Sequence, residues 1–90
     1  MSKKFITWKD GRYLYVETET QDSERRYIQK TVHVVHPDSD LEKFAIQTFT
    51  SDEMEADNEW FWDSFGETAT RLHTYNEITL DEYNVLNKYI

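Results

Sequence analysis

The first part of the chain consists of short apolar runs separated by polar turn signals, a pattern of strands apolar on both faces. The runs Phe5-Ile6-Thr7-Trp8 and Tyr13-Leu14-Tyr15-Val16 are rich in aromatic and β-branched side chains and flank Asp10-Gly11. That dipeptide suits the positive φ needed at both central positions of a two-residue type I′ loop, so Lys3 to Glu17 is predicted as a β-hairpin. In this register Lys9 faces Arg12, Trp8 faces Tyr13 and Ile6 faces Tyr15. One face then carries Ile6, Trp8, Tyr13 and Tyr15, and the other Phe5, Thr7, Leu14 and Val16. Thr18 to Glu24 is polar and predicts a turn or hairpin loop. Arg25 to His36 returns to extended character, with Ile28, Lys30, Val32 and Val34 on one side and Tyr27, Gln29, Thr31, His33 and Val35 on the other. It predicts a third strand, ended by Pro37, which has no N–H to donate to a ladder.

Beyond Pro37 the period lengthens. Ser39 and Glu42 match a capping box, and Leu41, Phe44, Ala45, Thr48 and Phe49 recur at helical spacing. This predicts a helix, with a strand over Phe44 to Thr50 as the alternative that the same residues allow. Thr50 or Ser51 can cap a second helix to about Phe65, stopped by Gly66, with Met54, Asn58, Phe61, Trp62 and Phe65 on its inner side. Thr68 to Tyr75 predicts a strand. Thr79 and Glu82 form another capping box, before the stripe Leu80, Tyr83, Leu86 and Ile90 of a final helix. The order β-β-β-α-α-β-α implies an α+β domain over residues 1–90. Its antiparallel sheet has three to four strands, the N-terminal hairpin plus the third strand, with two or three helices packed on one face.

Composition narrows the function classes. Three Trp, six Tyr and five Phe in 90 residues are too much apolar material for a disordered acidic tail. With no cysteine, disulfides and thiolate zinc sites are excluded. Without an apolar run of signal-peptide or membrane-span length, the expected location is the cytoplasm. The net charge of −8 is unevenly spread: Met1 to Lys43 is balanced, whereas Phe44 to Thr70 holds seven acids and no base. Direct binding to nucleic acid or to an anionic membrane needs the opposite sign, so neither is expected. A concentrated negative patch attracts basic protein surfaces instead.

On the predicted second helix, Glu55, Glu59 and Asp63 step by four, about 6 Å apart along the axis. Asp52 and Glu67 share that side, while Glu53 and Asp57 fill the flank. Like charges at this spacing cost a helix a few tenths of a kcal/mol per pair. Trp60 falls among the acids, where an exposed aromatic is a common interface anchor. The expected partner-binding set is therefore Asp52, Glu53, Glu55, Asp57, Glu59, Trp60, Asp63 and Glu67. The bland alternative is a solvated acidic face with Trp60 packed on the sheet.

The functional expectation is a non-enzymatic acidic module that occupies the basic groove of a nucleic-acid-binding protein, its carboxylates standing in for phosphates. In general character the chain is similar to phage-type inhibitors of host nucleases, of the anti-restriction or anti-CRISPR style; the similarity is one of composition. The alternative is a small assembly protein that forms a homodimer through Ile6, Trp8, Tyr13 and Tyr15. Other chemistry lacks a pattern. His33 and His36 fall on opposite faces of a strand, and with His73 they make no metal motif. The calcium-loop-like start at Asp38 has Lys43 where glycine is needed. Gly11 and Gly66 build no phosphate loop, and no serine or threonine sits in a nucleophile motif. No metal, cofactor or catalytic residue is expected.

Overall fold

The structure, a computed structural model, describes residues 11–90. Among these, five strands form one antiparallel sheet: β1 (Arg12–Gln21), β2 (Arg26–Val35), β3 (Glu55–Asp57), β4 (Trp60–Trp62) and β5 (Ala69–Ile78). Helix α1 (Leu41–Gln47) joins β2 to β3, and α2 (Leu80–Tyr89) follows β5. The spatial order is β2-β1-β5-β4-β3. The α+β class and the antiparallel sheet agree with the sequence reading, but the sheet is wider than three or four strands.

β1 is the centre of the fold. It pairs with β2 from Arg12↔Val35 to Gln21↔Arg26, and with β5 from Tyr13↔Ile78 to Gln21↔Ala69. Both edges of Tyr13 to Val16 are thereby taken by β2 and β5. The other half of the expected N-terminal hairpin, Phe5 to Trp8, lies outside the described residues. The ladder with β5 shifts register between Glu17 and Thr18, a bulge that leaves His73 as the extra residue.

The expected loop over Thr18 to Glu24 is a correction. Thr18, Glu19 and Thr20 are buried within β1, and only Asp22 to Arg25 turns. Their polarity is absorbed by partners remote in sequence: Thr20 Oγ1 lies 3.2 Å from Thr70 Oγ1, and Glu19 receives Arg71 at 2.7 Å. A buried polar side chain is tolerated when hydrogen-bonded, so threonine's β-branched shape prevails over its hydroxyl here.

The predicted helix from Thr50 or Ser51 to Phe65 is also overturned. That stretch forms the β3–β4 hairpin, with Asp57↔Trp60 closing a two-residue turn in which Asn58 has φ 58°. Phe61 and Trp62 pair with Thr70 and Ala69 of β5. A helix would leave that side of β5 without a ladder and would stack like charges turn upon turn. The strand instead sends Phe61 to one face, edge-on to Phe49 at 5.7 Å, and Trp60 and Trp62 to the other.

The two helices lie on opposite faces, not on one. Leu14, Val16, Val35 and Ala45 form the buried core, flanked by Leu41, Phe44, Leu72 and Tyr75, so α1 covers the Leu14/Val16 side. On the Tyr13/Tyr15 side, Tyr13 packs on Tyr83 of α2 with ring centroids 5.0 Å apart. α1 is a helix, as expected, but its cap is Asp40, which accepts the Lys43 N–H at 3.1 Å, and not Ser39. The capping box of Thr79 and Glu82 on α2 forms as expected.

Candidate functional site

The acids of residues 52–67 gather at the β3 end of the sheet, on a hairpin and its flanking turns. Glu55 and Asp57 alternate with Ala56 along β3, and their register partners are Trp62 and Trp60. Directly opposed residues share a face, so carboxylates and indoles meet on one side of the sheet. Asp52, Glu53, Glu55, Asp57, Glu59 and Glu67 are exposed, and Asp63 is half-buried. The stepwise ridge of Glu55, Glu59 and Asp63 does not form, because strand and turn geometry separate these positions.

Asp63 organises the turn into β5. Its carboxylate accepts backbone N–H groups from Glu67 at 3.0 Å and Phe65 at 3.2 Å, while its own N–H bonds the Thr68 carbonyl at 2.9 Å. These donors, the Glu67 N–H above all, hold the Asp63 carboxyl below its ordinary value. Gly66 completes the turn at φ +70°, a conformation that suits glycine. Phe65 is driven outward and is 82% exposed. The β1–β2 turn is built in a related way, with Asp22 Oδ1 accepting the N–H groups of Glu24 at 2.8 Å and Arg25 at 2.9 Å. Those bonds, Glu24's first, lower the Asp22 carboxyl.

Two shallow depressions flank Trp62. One is lined by Asp22, Glu24 and Glu67 with Gln21, Ser23, Gly66 and Thr68. The other is lined by Glu53, Glu55 and Asp63 with Ser64, Phe65 and Gly66. Among the described residues no lysine or arginine lines either one. An indole face edged by carboxylates suits a guanidinium or ammonium group, through ion pairing and the ring quadrupole together.

Trp60, the expected anchor, is placed differently. It is half-buried, with the Arg71 guanidinium 5.1 Å from its ring centroid. Arg71 also binds Glu19 at 2.7 Å and Glu59 at 3.0 Å, and Arg26 reaches Glu19 at 3.2 Å. One carboxylate of the expected set, Glu59, is thus matched by a base from the last quarter of the chain. Trp62 and Phe65, read from sequence as inward-facing, flank the acids instead. Asp22 and Glu24 were read only as loop, and nothing local tied them to residues 53–67.

The other candidate group, Ile6, Trp8, Tyr13 and Tyr15, is described only for its tyrosines. Tyr13 lies against α2, and Tyr15 lines a depression with Leu86, Tyr89 and Ile90. The Tyr15 hydroxyl donates to Glu17; burial first, and that bond second, push it up to about 12. The histidines are dispersed: His33 edges Phe44, His36 accepts the Asp38 N–H, and His73 lies 3.8 Å from Glu17. Among the described residues no cluster of His, Asp and Glu is arranged to hold a metal ion, and no helix is long and apolar enough to cross a membrane. Comparison with models of protein families, with curated proteins and with solved structures finds no match for this chain.

Proposed function

We propose that this chain is a non-enzymatic, cytoplasmic module that docks its acidic, aromatic end onto the basic surface of another protein. The partner we favour is a nucleic-acid-binding protein, whose phosphate-binding lysines and arginines would enter the depressions beside Trp62, in the manner of a DNA mimic. The observation that carries this reading is that carboxylates from three separate segments surround Trp62 and Phe65, with no lining base among the described residues. A protruding phenylalanine in such a setting gains little for stability, and aromatics ringed by charge are what hot spots of interfaces are made of.

Such a surface acts first by long-range attraction, which raises the encounter rate at low salt and is screened beyond about 10 Å at 0.1 M ionic strength. Contact then exchanges solvated carboxylates for ion pairs edged by aromatic rings. The test is capture from a cell lysate on the immobilised chain at low salt, eluted with rising salt and challenged with duplex DNA. The expected result is a basic protein released by both. Substitution of Glu53, Glu55 and Glu67 by lysine together should abolish capture, whereas Lys43→Glu should not. Failure to retain any basic protein at low salt, or equal retention by the triple variant, would refute the proposal.

A further inference from the structure

We propose that two copies of this chain join edge to edge through β2, antiparallel about a twofold axis at Thr31. Among the described residues β2 has one neighbour, β1, and along its other edge the backbone N–H and C=O groups of alternate residues point outward. Long exposed edges are usually blunted by proline, by charged side chains such as lysine, or by a bulge; β2 has no proline and pairs with β1 without a register shift, and its charges are Arg26 at one end and Lys30. Every residue from Arg26 to Thr31 is exposed, including Ile28 at 43%, and Val34 is 37% exposed.

The pattern of β2 selects its partner. About a twofold axis normal to the sheet, opposed residues must share a face, so only registers centred on a residue are allowed. The two that pair most of the strand are centred on Lys30 and on Thr31. Centring on Lys30 sets two ammonium groups directly opposite, which is unfavourable. Centring on Thr31 sets Ile28 against Val34, Tyr27 against Val35, Gln29 against His33 and Lys30 against Val32. The exposed Ile28 and Val34 then cover one another in both halves, with no like charges directly opposed.

Electrostatics points to the same partner. Two chains of net charge −8 repel, so copies can meet only where acids are few. Arg26–Val35 contains no acid, and it lies at the opposite edge of the sheet from β3. Joining through β2 keeps the two acidic ends as far apart as the sheet permits. Lys30 lines a depression with Leu86, Tyr89 and Ile90, which places the end of α2 beside the seam. The exposed Val85 and Tyr89 stand on that helix.

The absence of cysteine makes the register directly testable. Thr31→Cys would lie opposite itself across the axis, within the Cα separation of about 4.4–6.8 Å that a disulfide spans. The full-length protein should sediment as a dimer, and Thr31→Cys should form a disulfide-linked dimer about tenfold or more faster than Ser51→Cys on mild oxidation. Ile28→Lys with Val34→Lys should yield a monomer of unchanged circular dichroism, whereas Glu55→Lys should leave the dimer intact. A monomer at all concentrations overturns the proposal, whether the β2 amides exchange freely or are protected by residues 1–10 of the same chain. So does a dimer in which Thr31→Cys links no faster than Ser51→Cys. Loss of the lysate capture alone leaves this inference standing, since β2 and the acidic end are separate surfaces.

Discussion

Arg71 links β1 and β5 to the β3–β4 hairpin. Its guanidinium binds Glu19 and Glu59 and lies over Trp60, so it ties the central strand to the outer hairpin. Glu19 is 6% exposed, and a carboxylate so placed depends on its partners. Arg71→Ala should therefore lower the urea midpoint more than Arg12→Ala, which removes the exposed pair with Glu77 and a hydrogen bond to the Pro37 carbonyl. Arg71→Lys should restore little of it, because an ammonium lacks the planar, rigid fork that reaches two carboxylates while its face lies on an indole. Tyr15 makes a second residue-scale prediction. Its hydroxyl ordinarily ionises near 10 and is pushed up to about 12 in the folded chain. The unfolded chain loses that proton first, so this contribution is fully present below pH 10 and is lost as pH rises through about 12. Urea titrations should show Tyr15→Phe losing less stability over that window than the parent protein.

At the scale of elements, those with strong local signals were legible and those that depend on remote partners were not. The capping box of Thr79 and Glu82 announced α2, and Pro37 announced the end of β2. No residue of α2 is fully buried, so its cap carries an unusual share of its stability. Thr79→Ala should cost about 0.5–2 kcal/mol. It should show as faster hydrogen exchange over Leu80–Tyr89 while the β1 amides keep their protection. The β3–β4 hairpin was read as a helix because Met54, Phe61, Trp62 and Phe65 also satisfy a helical period. In that window the two periods are locally indistinguishable. What separates them is β5, which supplies Thr70 and Ala69 as ladder partners for Phe61 and Trp62. The same limit hid the length of β1, since Glu19 reads as a loop residue until Arg71 is beside it.

Across the whole molecule, charge and stability pull against each other as pH falls. Glu19, Asp22, Asp63 and Glu77 are held below the ordinary carboxylate range, Glu19 and Glu77 chiefly by hydrogen bonds from Arg71 and Arg12, the aspartates by backbone N–H groups. Groups depressed in this way contribute stability above their unfolded values and lose it as pH falls through their folded ones. The exposed acids act in the other sense, because protonating them relieves repulsion in a chain of net charge −8. The unfolding midpoint should therefore hold level or rise slightly as pH is lowered towards about 5, then fall below about 4. A midpoint that climbed steadily to pH 3 would mean that repulsion outweighs the paired carboxylates.

By itself, the sequence determined the α+β class, the α2 cap, the end of β2 and the concentration of nearly all the excess negative charge in residues 44–70. Each of these follows from neighbours within a few positions or from composition alone, so no fold is needed to read it. Tertiary structure alone decided that the acidic stretch is a hairpin, that the helices take opposite faces, and that Asp22 and Glu24 join Glu53, Glu55 and Glu67 around Trp62. Those outcomes rest on backbone hydrogen bonds and ion pairs between segments far apart in the chain. Partners of that kind leave no periodicity for a local pattern to reveal.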